Sequence, residues 1–411
     1  MGTGDAPADR GHAARRRQDQ GDGGRGRGRR RPVRGRLRRA TPRGLPGGGR
    51  RRGPQPVERR PVTARPRVRV PRGGLLVPAF AKINLGLEVL GLRPDGYHEL
   101  RSLFQTIDLH DDIVIRPRPR TLEVRCDHPA VPRDERNLAL RAALELRRHA
   151  GIERGAEIAI TKRIPVGGGL GGGSSDAAAV LMALDRQWGL GLGPAGLHGL
   201  ARRLGADVPF FLLGGTALGV ARGDEVYPLR RQVRGHVVLV DPGRPISTAA
   251  VFARVDQSLT ERQNSHTIFR FVSSDLEGLR AFSILTNELE EAALEEAPEL
   301  AGQVRRIRGI LVGEGAVLAS LSGSGSSFFG LYDDGRRARR AHAALAAAGF
   351  RVLRARLVSL QQYRASWARA LGASGVVRGS NQSRSGHHGD HRRQGHPGGG
   401  RKAQGLRVDR V

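Results

Sequence analysis

A chain of 411 residues with 70 Lys or Arg against 39 Asp or Glu carries a formal charge of +31, which would suit a nucleic-acid binder if it were spread evenly. It is not: about 23 arginines and five acids crowd residues 1–74, and eight Arg or Lys against two acids occupy 375–411. One cysteine, Cys126, excludes an internal disulfide framework, and no apolar run approaches the roughly 20 residues of a membrane span.

The two ends hold too few apolar side chains to offset the entropy of ordering, as in Gly21-Asp22-Gly23-Gly24-Arg25-Gly26. Residues 1–74 are therefore expected to be a disordered Arg/Gly-rich extension and 372–411 a disordered basic tail. Two readings of them stay open: arms for nonspecific nucleic-acid contact, or dispensable extensions, including a start codon placed too far upstream. The leader lacks both a signal-length apolar run and the serines of a transit peptide, so a cytoplasmic protein is the simplest expectation.

Ordered structure is expected from Leu75. Residues 75–77 and 83–90 read as strands interrupted by Pro78, and Arg93-Pro94-Asp95-Gly96 as a turn. Short strands follow at 112–115 and 121–125, then a helix over 137–149 with Leu138, Ala142 and Leu146 on one face. A strand over 157–161 runs into a glycine loop, a helix covers 176–188, and another covers about 194–204. Residues 208–213 are too apolar for the surface. A buried strand at 236–241 opens a second unit, which continues with helices over 287–296 and 299–311, strands 316–320 and 328–332, a helix over 336–348, and strand 351–357. Strands and helices interleave, which predicts a mixed α/β protein of two packed domains, 75–230 and 231–371.

The most informative stretch is Pro165-Val166-Gly167-Gly168-Gly169-Leu170-Gly171-Gly172-Gly173-Ser174-Ser175. Its glycines permit positive φ and a close approach of backbone to ligand. It feeds a helix whose first N–H groups and positive dipole end suit a phosphate. No Gly-Lys-Ser/Thr closes it, so it is not a Walker-type loop. A flexible linker would not stand between a strand and an Ala-rich helix.

This segment resembles the phosphate loop of the galactokinase, homoserine kinase, mevalonate kinase and phosphomevalonate kinase superfamily, whose signature is Pro, then Gly-Leu-Gly, then Ser-Ser before a helix. The resemblance covers about residues 75–370. It implies an α+β two-domain kinase with a ribosomal-protein-S5-like N-terminal domain and a ferredoxin-like C-terminal domain. It also implies ATP as phosphoryl donor, with Mg²⁺ screening its phosphates.

An acid at Asp207, in Ala206-Asp207-Val208-Pro209, precedes an apolar segment where a lone carboxylate is costly unless paired or used. By the resemblance, Asp207 is the base and Lys82, in Ala81-Lys82-Ile83-Asn84, is its partner. The segment Asp95-Gly96-Tyr97-His98 is similar to that of members acting on a cytidine-diphosphate-linked methylerythritol. There Tyr97 and Phe252 would stack on the pyrimidine, and His98 would hydrogen-bond it. Homoserine and mevalonate kinases share the glycine loop but not this aromatic pair. Asn84 is expected on the acceptor side and Asn137 on the nucleotide side. The turn Ser322-Gly323-Ser324-Gly325 resembles the superfamily's third glycine-rich motif. Two departures stand out: Glu288, in Thr286-Asn287-Glu288, where relatives usually carry Asp, and the surroundings of the acid in Arg222-Gly223-Asp224-Glu225. The implied activity is phosphorylation of the 2-hydroxyl of the methylerythritol moiety, in the non-mevalonate route to isoprenoids. The rivals are a kinase of another small alcohol and an RNA binder working through its tails. A monomer and a homodimer are both left open.

Overall fold

The computed structural model describes residues 74–230, 233–258, 266–274 and 278–372. The expectations for the two tails fall outside these residues, Gly74 and Gly372 apart. Strands Leu75–Leu92 (β1) and His98–Arg118 (β2) form a long antiparallel ribbon closed by the turn at 93–97. Leu122–Cys126 (β3), helix Leu138–Ala150 (α1) and Gly155–Thr161 (β4) follow. After the glycine loop come helices Gly172–Trp188 (α2), Gly193–Leu204 (α3) and Val208–Leu213 (α4), then strands Thr216–Val220 (β5) and Glu225–Pro228 (β6). β2 organises the first sheet. Besides β1 it pairs β4 through its C-terminal half and β5 through its N-terminal half, giving the order β3-β4-β2-β5-β6. Among the described strands of this sheet, β3 and β4 are the pair that runs parallel.

The second sheet is antiparallel throughout, in the order β10-β7-β9-β8. Its strands are His236–Asp241 (β7), Leu318–Leu321 (β8), Phe328–Tyr332 (β9) and Arg351–Arg356 (β10). Around it lie helices Thr248–Ser258 (α5), Thr267–Ser273 (α6), Leu289–Glu296 (α7), Ala301–Gly313 (α8) and Gly335–Ala347 (α9). Leu360–Ala370 (α10) returns to the first sheet, where Tyr363 and Trp367 are buried.

Three apolar clusters hold these layers together, and β1 takes part in all of them. Val77 and Ala79 face the first, beside Ala177, Ala178 and Ala179 of α2, whose short side chains let the helix lie close to the sheet. Ala81, Ile83 and Leu85 face the second, between the sheets, against Leu239, Phe329 and Leu331. Leu87 and Val89 join the third, under α5, α7 and α8. The switches coincide with register shifts at Phe80/Lys82 and Asn84/Gly86, bulges that re-aim the strand. Since side chains two apart share a face, Lys82 and Asn84 together point away from the second cluster.

The sequence reading differs from this structure in identifiable places. Pro78 does not interrupt β1, because β1 has a strand neighbour on one side only and an edge strand tolerates a missing N–H. Residues 98–111 are strand rather than connection: buried Gln105 and Thr106 break the apolar alternation, but their side chains bond backbone groups at Val358 and Gly215. Helix α2 starts at Gly172, so the last glycines of the loop form its first turn. Helices α5, α6 and α10 were not anticipated, although α10 carries a capping box from Ser359 to Gln362.

Candidate functional site

The glycine loop lies between β4 and α2 and separates two cavities. One, of about 350 Å³, is lined by Pro165 to Ser174 with Val131, Arg136, Asn137, Lys162 and Asp176. The other, of about 320 Å³, is lined by Lys82, Asn84, Ser102, Asp207, Arg222, Thr248, Phe252 and Ser324 among others. Gly169, Gly171 and Ser174 line both. Their closeness depends on glycine. A Cβ on Gly169, at φ +73, would stand 2.0 Å from the Ser322 carbonyl oxygen, and one on Gly171, at φ +71, 2.6 Å from the Phe211 ring. Gly171 is also the N-cap of α2, leaving the first N–H groups of that helix directed at the loop.

The loop serines divide. Ser174 lines both cavities, whereas the buried Ser175 donates its hydroxyl to the Phe80 carbonyl at 2.6 Å and ties α2 to β1. Leu170 turns its side chain into the inter-sheet core, and its carbonyl accepts from the Lys82 N–H at 3.0 Å. Asn137 lines the first cavity, but its carboxamide is engaged by its own helix: it caps α1 through Ala139 N–H and donates to the Pro132 carbonyl.

In the second cavity the structure brings together the two residues singled out by motif. Lys82 Nζ, on a side chain 4% exposed, lies 3.4 Å from Asp207 Oδ2. It also donates to Asn84 Oδ1 at 2.6 Å, and Asn84 Nδ2 donates to Ser102 Oγ at 2.7 Å. The ammonium is thus fixed by β1 and β2 themselves. Asp207 sits where α4 begins yet makes no side-chain cap to it, and its carboxylate is 34% exposed, open to the cavity.

The aromatic group is only partly assembled. Phe252, from α5, lines the cavity and stacks on His98 at 4.7 Å between ring centroids. His98 Nε2 pairs with Asp256 Oδ1 at 2.7 Å, which fixes the imidazole plane. Tyr97 stands apart from Phe252, 57% exposed, with the Arg222 guanidinium 4.9 Å from its ring centroid. Arg222 lines the cavity and was noted in sequence only as the neighbour of an unusual acid. It and Arg202 hold the buried Asp224: burial would push that carboxyl up, but their hydrogen bonds keep it below the usual range.

Sequence reasoning also missed a buried cluster in the wall of the first cavity. Lys162 Nζ lies 2.5 Å from Asp111 Oδ2 and 3.0 Å from Asp176 Oδ2, joining the interior of β2 and the end of β4 to the first turns of α2. No local pattern announces a group drawn from three distant segments. Burial pushes Asp176 up to about 8; Lys162 opposes that shift and Asp111 adds to it. A carboxyl raised above its ordinary 3.8 binds its proton more tightly in the folded state, so its contribution to stability falls as pH rises from about 4 towards 8. Asp176→Asn is accordingly expected to raise the melting temperature at pH 8 by roughly 2–4 °C, the equivalent of about 1 kcal/mol, and by less at pH 5. Equal gains at both pH values, or a loss at pH 8, would contradict this account of the cluster.

The chain is similar to known proteins in sequence and in fold. Residues 137–215 match the GHMP kinases N terminal domain, and residues 276–351 match GHMP kinases C terminal. The chain is 43% identical over 271 residues to a 4-diphosphocytidyl-2-C-methyl-D-erythritol kinase of Gloeobacter violaceus, covering 64% of this chain and 86% of that one. It is 42% identical over 300 residues to the protein of the same name from Solibacter usitatus, covering 71% and 92%. The crystal structure of a 4-(cytidine 5'-diphospho)-2C-methyl-D-erythritol kinase superposes with a TM-score of 0.56 at 35% identity, covering 69% of this chain and 99% of that one. L. major mevalonate kinase, at 18% identity and a TM-score of 0.54, shares the fold.

Proposed function

Since the chain belongs to the 4-diphosphocytidyl-2-C-methyl-D-erythritol kinases, within the GHMP kinases, we propose that its two cavities hold the donor and acceptor of one phosphoryl transfer. The enzyme moves the γ-phosphoryl group of ATP to the 2-hydroxyl of 4-diphosphocytidyl-2-C-methyl-D-erythritol, a step of isoprenoid precursor synthesis. The observation that carries the assignment of parts is the meeting of the cavities at Gly169, Gly171 and Ser174, with Lys82 and Asp207 on the acceptor side.

In this reading ATP occupies the cavity along residues 165–174. Backbone N–H groups of the loop and the first turn of α2 hold its triphosphate, adding the helix dipole to their hydrogen bonds. Mg²⁺ bound with the nucleotide would neutralise part of the triphosphate charge, and the Ser174 hydroxyl, which lines both cavities, is the group of this chain that would help to hold it. The methylerythritol end of the substrate lies over Asn84 and Lys82, its 2-hydroxyl towards Asp207. Asp207 takes the hydroxyl proton as the new oxygen–phosphorus bond forms and the bond from the γ-phosphorus to the β–γ bridging oxygen breaks, releasing ADP, and the Lys82 ammonium compensates the charge gathering on the reacting oxygens. Positioning by the rigid β1–β2 ribbon supplies much of the remaining advantage.

The cytidine end extends towards Phe252, His98 and Tyr97. Phe252 offers a ring face for the pyrimidine, His98 a polar edge held in orientation by Asp256, and the exposed Tyr97 an outer cover. Stacking contributes about 1–3 kcal/mol per base. Phe252→Ala is therefore expected to raise the KM for the cytidine substrate about tenfold or more, with kcat and the KM for ATP little changed. An unchanged KM for the cytidine substrate would remove Phe252 from its recognition.

We also read the enzyme as cytoplasmic. Its single cysteine is buried and unpaired, and among the described residues no helix is long and apolar enough to cross a membrane. The division into an N-terminal kinase domain over 75–230 and a C-terminal one over 231–371 is part of the same proposal, each carrying one of the two sheets.

A further inference from the structure

We propose that Asn287 is a positioning residue for phosphoryl transfer, its carboxamide holding the turn at 322–327 against the phosphate loop and the Lys82 ammonium; this deepens the assignment above and rests on it. The argument starts at the free edge of β1. Leu87 N–H donates to the Thr286 carbonyl at 2.9 Å, Glu288 N–H donates to the Leu87 carbonyl at 2.9 Å, and Val89 N–H donates to Glu288 Oε2 at 2.8 Å. Residues 286–288 are thereby fixed to the strand that carries Lys82 and Asn84, with Asn287 bridged to Leu87. The glutamate at 288 has a task here, since its carboxylate reaches the backbone of β1 two residues beyond Leu87.

Asn287 itself is buried, 7% exposed, and both of its donors and its oxygen are engaged. Nδ2 donates to the carbonyls of Leu321 at 2.9 Å and Gly323 at 2.8 Å, and Oδ1 accepts from Leu289 N–H at 3.0 Å. The turn so held continues directly into the loop: Ser322 Oγ donates to the Gly169 carbonyl at 3.0 Å, and Ser327 N–H donates to the Gly168 carbonyl at 3.2 Å. On its other side the turn lies over the catalytic ammonium, where a Cβ on Gly323 would be 3.4 Å from both Lys82 Nζ and Asn84 Oδ1. Asn287 lines neither cavity. It therefore acts through the turn, setting where the Gly168 and Gly169 peptides stand relative to Lys82. A misplacement of about 1 Å at such a point costs roughly 10²-fold in rate.

The test replaces Asn287 with Asp, which keeps the size and the acceptor for Leu289 N–H but sets a second acceptor against two carbonyls. Folded Asn287→Asp is expected to show kcat at least tenfold below wild type, while the KM for 4-diphosphocytidyl-2-C-methyl-D-erythritol stays within about threefold. Ser322→Ala cuts the next link and should show the same split between kcat and KM. The double variant should fall well short of the product of the two single losses, because both act on one contact chain. A folded Asn287→Asp with kcat within twofold of wild type, or losses that multiply independently, would overturn the inference. If Asn287→Asp does not fold, Ser322→Ala decides, and a kcat within twofold of wild type then refutes the role. Wild-type turnover in the same assay separates the two levels: its absence refutes the assigned reaction, whereas its presence beside a fully active Asn287→Asp refutes only the positioning role.

Discussion

Asp207→Asn is expected to lower kcat by at least the roughly 10²-fold that base catalysis contributes, with the KM for both substrates within about threefold of wild type. The substitution keeps shape and polarity and removes the negative charge 3.4 Å from Lys82 Nζ. It should cost little stability. The substitution takes the charged partner from the buried Lys82 ammonium, but that ammonium keeps its 2.6 Å bond to Asn84 beside a cavity to which Asp207 is 34% open, and Asp207 caps no helix through its side chain. Binding should survive because the cytidine end, at Phe252 and His98, and the loop on the nucleotide side do not depend on that carboxylate. Near-normal kcat would remove Asp207 from the mechanism. A large rise in KM with kcat preserved would recast it as a binding residue.

Gly169→Ala is expected to lower kcat/KM for ATP by at least about 10²-fold. A methyl group there meets two backbone oxygens, that of Ser322 at 2.0 Å and that of Gly325 at 2.9 Å, in a conformation at φ +73 that side chains rarely adopt. No flexible side chain can yield, so the loop must part from the turn at 322–327 by about 1 Å, at the point where the cavities meet. Gly173 makes the comparison. A Cβ at that position has its nearest neighbour at 3.7 Å, the end of the Leu138 side chain, so Gly173→Ala should cost much less. Equal losses at the two positions would mean that the density of glycines, rather than the packing of Gly169, is what the loop requires.

What was legible in this sequence was local. The glycine loop stood out because β4 before it and the alanine-rich α2 after it have strong patterns of their own, and β7 and β9 are short apolar runs between clear turns. Lys82 and Asp207 were found as members of short motifs, and the fold joins them across 125 positions of chain. What was not legible depends on contacts between distant segments. The first half of β2 hides because Gln105 and Thr106 are buried polar residues whose partners, near 358 and 215, no window includes. The Asp111–Lys162–Asp176 cluster and the clamp at Asn287 are likewise products of convergence. α10 is different: its capping box, Ser359 with Gln362, is a local signal that was present and passed over. The aromatic pocket falls between these cases. Phe252 and His98 stack on each other, whereas Tyr97, expected as the stacking partner of Phe252 across the pyrimidine, stays on the outside with Arg222.

The most direct test of the central claim is ATP turnover by the purified protein offered 4-diphosphocytidyl-2-C-methyl-D-erythritol, mevalonate and homoserine in parallel. The account predicts phosphorylation of the cytidine compound with little or none of the other two. Turnover of mevalonate or homoserine without the cytidine compound would contradict it, leaving the phosphate loop in place and the reading of Phe252, His98 and Tyr97 without support.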